Sequence, residues 1–76
     1  MNQRRRERVR EAIKLLGSAS NIVSLAYDSE SDALSNLPEN LENSELYENI
    51  EAASDCLYTA VSAIEDAIAS LEDAIA

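Results

Sequence analysis

From Leu46 to Ala74 the apolar residues recur at alternating intervals of four and three: Leu46, Ile50, Ala53, Leu57, Ala60, Ile64, Ala67, Leu71, Ala74. This spacing keeps one side of an α-helix apolar over many turns, which is the pattern of a heptad seam. A second line runs beside it through Tyr47, Ser54, Val61, Ile68 and Ile75. Together the two lines form a stripe wider than one partner helix covers. Glu51, Asp55, Glu65, Asp66, Glu72 and Asp73 lie on the other side. Asn43 or Ser44 can cap the start, and Glu45 and Glu48 suit the positive end of the helix dipole. The spacing predicts a helix over about residues 44–75.

The first half follows the same rule less regularly. Val9, Ala12, Ile13, Leu16, Ala19, Val23, Ala26, Tyr27 and Leu34 recur at threes and fours, with Asn2 as a cap. Residues 17–21 (GSASN) and 27–36 (YDSESDALSN) have low helix propensity. The expectation is a helix over about residues 2–36, with a bend or a break near Asp28–Ser31. Residues 37–43 form a linker. Pro38 drives Leu37 out of helical geometry, and the Asn residues suit a turn. The fold class is therefore all-α: an antiparallel two-helix hairpin, a single domain over residues 1–76, folded about residue 40 or 41. Residue i then lies near residue 81 − i, which sets Arg8 and Val9 opposite Asp73 and Glu72.

The charges divide sharply along the chain. Residues 1–14 hold every cation, Arg4, Arg5, Arg6, Arg8, Arg10 and Lys14, against two carboxylates, for a net +4; the remainder carries −13. An overall charge of −9 disfavours direct binding of duplex nucleic acid and of anionic membranes. No run approaches the length of a membrane span. The lone Cys56 allows no intrachain disulfide, and a cytoplasmic setting fits.

Composition also removes most catalytic chemistry. There is no His, so the usual general base and common zinc ligand are missing, and Gly17 is the only glycine, so no phosphate-cradling loop exists. Asp28, Glu30 and Asp32 lack the Gly and terminal Glu of a calcium loop. Cys56 reads as a small core or flank residue. No catalytic residue, metal site or cofactor is expected.

Two features carry binding potential. Counting back by heptads from Ala12 and Ile13 puts Arg5 and Arg6 on the apolar face, with Arg4, Arg8 and Arg10 beside it. Guanidinium groups brought together at a bundle end favour an anion between them, and Arg suits phosphate and carboxylate alike. The competing reading is that the arginines pair with Glu72 and Asp73 and fix the register of the hairpin. Tyr27 and Tyr47 fall on the stripes as core residues. Tyr58 should face outward, free to stack on a base or anchor a partner.

The arginine-rich start before a heptad helix, the linker NLPENLENSELYE (residues 36–48) and the following EAASDCLYTAVSAIEDAI resemble uncharacterised small helical proteins of phages and mobile elements of Gram-positive bacteria. The resemblance implies a viral origin and a setting in the cytoplasm of a bacterial host; it implies no particular activity.

Three non-enzymatic functions follow as expectations. The first is a counter-defence sponge, an oligomer sequestering a phosphate-bearing nucleotide second messenger through Arg4, Arg5, Arg6, Arg8 and Tyr58. The second is an acidic inhibitor or nucleic-acid mimic that occupies a basic host defence protein. The third is a structural coiled-coil assembly protein. All three share a homo-oligomer, dimer or higher, joined through the broad stripe of Leu46, Ile50, Leu57, Val61, Ile64, Ile68, Leu71 and Ile75.

Overall fold

The computed structural model describes residues 1–76. It holds two helices and no strand: α1 (Gln3–Ser35), a 3-10 turn (Glu39–Leu41) and α2 (Glu45–Ala74). The helices pack against each other as a hairpin, giving a rod of 59 × 14 × 14 Å.

Both helix starts are fixed by the side chains that the sequence offers. The Asn2 Oδ1 accepts the Arg5 amide at 2.8 Å. Ser44, not Asn43, caps α2: its Oγ accepts the Tyr47 amide at 3.2 Å. The same Ser44 hydroxyl donates to the Leu41 carbonyl at 2.6 Å and so ties the 3-10 turn to the helix it precedes. Helix α1 ends with the Asn36 amide on the Asp32 carbonyl. Pro38, extended at φ −59° and ψ 148°, then starts the turn.

Helix α1 runs without interruption to Ser35, so of the anticipated bend or break near Asp28–Ser31 the break does not occur. The reason is tertiary. Val23, Tyr27 and Leu34 keep the heptad spacing across both weak patches and are half-buried. Packing of an apolar face contributes more to a helix inside a protein than local propensity does.

The half-buried positions show which residues meet. On α1 they include Arg6, Val9, Ile13, Leu16, Ser20, Val23, Tyr27, Glu30 and Leu34; on α2 they include Tyr47, Ile50, Leu57, Val61, Ile64, Ile68, Leu71 and Ile75, with Ser54 fully buried. Each series alternates threes and fours. The α2 seam thus joins Ile50, Leu57, Ile64 and Leu71 to the second line of the stripe. The alanine line is displaced: Ala53, Ala60 and Ala67 are half-buried flanks, and Leu46 and Ala74 are exposed. Val61, Ile68 and Ile75 each hide more apolar surface than an alanine, so rotating the seam by one residue is favoured.

No hydrophobic side chain is fully buried; Ser54, at 7% exposure, is the one buried residue. A hairpin one helix pair thick has no interior beyond its seam. Ser54 lies opposite Tyr27 in the 81 − i register, a small residue facing a large one. Its hydroxyl has no hydrogen-bond partner.

Candidate functional site

The arginine end is built by the antiparallel register. The Arg6 Nη1 donates to the Ile75 carbonyl at 2.6 Å, joining residues 69 apart in the chain. Those two numbers sum to 81, as the folding point requires. The Arg6 Nε also donates to the Met1 carbonyl at 3.2 Å. The electrostatics explain the contact. Three arginines stand in the first turns of α1, where that helix's own dipole repels them, and α2 has no basic residue in its last turn. The hairpin lays Arg6 against the negative end of α2, where a positive charge stabilises the free carbonyls.

Of the anticipated inward pair, only Arg6 is half-buried; Arg5 is exposed, as are Arg4 and Arg8. One residue of rotation, about 100° around the helix, separates Arg5 from the seam. No arginine hydrogen-bonds to Asp66, Glu72 or Asp73; Arg6 reaches a backbone carbonyl instead.

Tyr58 is 62% exposed, as its position after Leu57 suggests. Its ring nevertheless meets Tyr27, with centroids 5.9 Å apart and planes tilted by 54°. Helical side chains lean toward their own N-terminus, so residues 27 and 58 meet although their numbers sum to four more than 81. Seventeen residues of helix separate Tyr58 from Ile75, roughly 25 Å at 1.5 Å per residue. A single chain therefore does not bring Tyr58 and the arginines to one site. Cys56 is exposed, a flank residue outside the seam.

The opposite end has a different character. Residues 28–55 carry Asp28, Glu30, Asp32, Glu39, Glu42, Glu45, Glu48, Glu51 and Asp55 with no cation. In the remaining half, Glu7, Glu11, Glu65, Asp66, Glu72 and Asp73 balance the six cations. The entire formal charge of −9 therefore lies in the half of the rod that holds the turn. These carboxylates do not converge, and no cluster able to hold a metal ion forms.

A shallow cleft of about 460 Å³ opens in this acidic half, lined by Leu34, Ser35, Leu37, Glu42, Asn43 and Tyr47. The Glu51 carboxylate beside Tyr47 raises the phenol above its ordinary value, first by its charge and then by accepting the hydroxyl; desolvation and Glu42 add to the shift. The sequence contains the signal for this acidic half, but only once the register pairs residues 28–36 with 45–53.

No protein-family model, curated protein or solved structure matches this chain. No helix is long and apolar enough to cross a membrane.

Proposed function

We propose that the protein is a non-enzymatic binding protein, self-associated through its helices, that presents its acidic half to a basic surface of another protein in place of nucleic acid. The observation that carries this reading is the segregation of charge. Nine carboxylates line the turn-proximal third, roughly 20 Å, of a 59 Å rod with no cation among them. Arg6, meanwhile, lies against the negative end of α2. A one-signed patch of this length raises association rates with an oppositely charged surface and repels nucleic acid from it. A partner with a basic, nucleic-acid-binding surface, such as a nuclease, fits that charge.

A basic bacterial nuclease immobilised on a biosensor tests the reading. Binding should weaken steeply with salt and should be displaced by duplex DNA. Replacing Glu42, Glu45, Glu48 and Glu51 with Gln should weaken it by roughly tenfold or more, while Glu65→Gln with Asp66→Asn should have little effect. Binding indifferent to salt, or equally sensitive to both sets, would exclude the mimic.

The free guanidiniums of Arg4, Arg5 and Arg8 favour a second reading, sequestration of a phosphate-bearing nucleotide between copies. Calorimetric titration with cyclic and ADP-ribose-type nucleotides decides it. Stoichiometric heat, lost in the Arg4→Ala, Arg5→Ala chain, supports the sponge; no heat across the series removes it.

A further inference from the structure

Leu46 and Tyr58 on α2 are exposed, at 50% and 62%, but the three most exposed large aliphatic side chains stand together on α1. Leu15 is 63% exposed, Ile22 68% and Leu25 68%. They belong to a third series along the back of α1, away from the seam: Arg8, Glu11, Leu15, Ser18, Ile22, Leu25, Ser29, Asp32, every member exposed. Its intervals also alternate threes and fours, so it forms one continuous face.

This face is palindromic in its chemistry. Read from either end it runs charge, polar or charged residue, leucine, and then the central Ser18 and Ile22. When two copies of α1 lie antiparallel about a two-fold axis near residue 20, residue i meets residue 40 − i of the other copy. Leu15 then meets Leu25, Ser18 meets Ile22, Glu11 meets the Ser29 hydroxyl, and Arg8 meets Asp32. Each pairing occurs twice, as an isologous interface requires. A parallel arrangement would instead set Arg8 against Arg8 and Asp32 against Asp32.

The exposed area gives an independent measure. A compact monomer of 8.3 kDa exposes roughly 4,600 Å² by the usual mass scaling, whereas this chain exposes 5570 Å². The excess, roughly 1,000 Å² per chain, is about what each partner buries in a stable protein interface.

We infer that the outer face of α1 is the self-association surface, and that two hairpins join there through antiparallel α1 helices centred near residue 20 into a four-helix assembly. The inference rests on the proposed self-association and names its surface and symmetry. It leaves the acidic segments of α2 uncovered, one at each end of the assembly, and gives Arg8 a carboxylate partner that the single hairpin does not supply.

Sedimentation velocity over a range of concentrations, with helix content followed by circular dichroism, tests it. The wild-type chain should sediment as a dimer. Leu25→Glu should weaken the dimer by roughly a hundredfold or more while leaving the hairpin helical, because the site is exposed in the monomer. Leu46→Glu, exposed on α2, should leave the dimer intact. Arg8→Asp and Asp32→Arg should each weaken association by roughly threefold to tenfold, and the chain carrying both should recover it. A wild-type monomer would sink both the self-association and its surface. A dimer that survives Leu25→Glu but not Leu46→Glu would keep self-association and discard this face. Failure of the double exchange to recover association would discard the antiparallel register.

Discussion

The two halves of the rod share one heptad seam but differ in how their charges are used. In the half holding the chain ends, cations and carboxylates balance, and Arg6 crosses to the Ile75 carbonyl. That half carries no net formal charge. In the half holding the turn, nine carboxylates have no counter-ion in the chain, and the closure is made by neutral groups: the Ser44 cap and the 3-10 turn. Like charges along one segment repel and cost stability. A segment that tolerates this without any internal cation is suited to a counter-charge from outside. One half thus carries the contact that joins the two helix ends, and the other carries the whole uncompensated charge.

The largest effect comes from removing what both halves share. Leu57→Asp puts a carboxylate into the seam near mid-rod and should cost about 3 kcal/mol or more, abolishing helical circular dichroism in both halves together. Loss confined to one half would mean that the halves fold separately.

Two further substitutions each act on one end of the rod. Arg6→Ala removes a charge-assisted bond and should cost about 1–2 kcal/mol, with faster amide exchange concentrated in residues 70–76. Ser44→Ala removes the α2 cap and its tie to Leu41, costing about 1 kcal/mol with the faster exchange near residues 45–48. Added salt should weaken the Arg6 contact while relieving repulsion around the turn, so the two ends should respond with opposite sign.

Ser54→Ala should raise stability by up to about 1 kcal/mol, because the buried hydroxyl has no partner to lose. A fall in melting temperature would show that the hydroxyl is bonded in solution.

The smallest effect is in the titration of Tyr47. Its raised pKa means that the protonated phenol contributes stability fully below the ordinary tyrosine range, about pH 10, and that this contribution is lost as pH rises through the higher folded value. Glu51→Gln should bring the Tyr47 absorbance transition back toward that range. An unchanged transition would show that Glu51 is not the cause.

Much of the architecture was legible in the residues. The alternating threes and fours, the Asn2 and Ser44 caps and Pro38 located both helices to within a residue or two. The register sum of 81 reappears in Arg6 and Ile75. The seam's rotation was less legible, because counting apolar positions treats alanine as equal to isoleucine, whereas buried area does not. The continuity of α1 was hidden for a related reason: propensity is local, while the packing of Val23, Tyr27 and Leu34 comes from the other helix. The arginines were legible as a group that had to meet negative charge. Which of them turns inward depends on a single residue of helical phase, and the structure selects Arg6 alone. Leu15, Ile22 and Leu25 went unread because they belong to neither seam, although their own spacing is as regular as that of the residues that do.

A rod one helix pair thick has a thermal consequence. With every hydrophobic side chain already partly wetted in the folded hairpin, melting the isolated hairpin uncovers little additional oily surface. Its heat-capacity step should then fall below the roughly 12–15 cal/mol/K per residue of globular domains. A small step flattens the dependence of stability on temperature, so such a hairpin would loosen gradually on warming and resist unfolding on cooling.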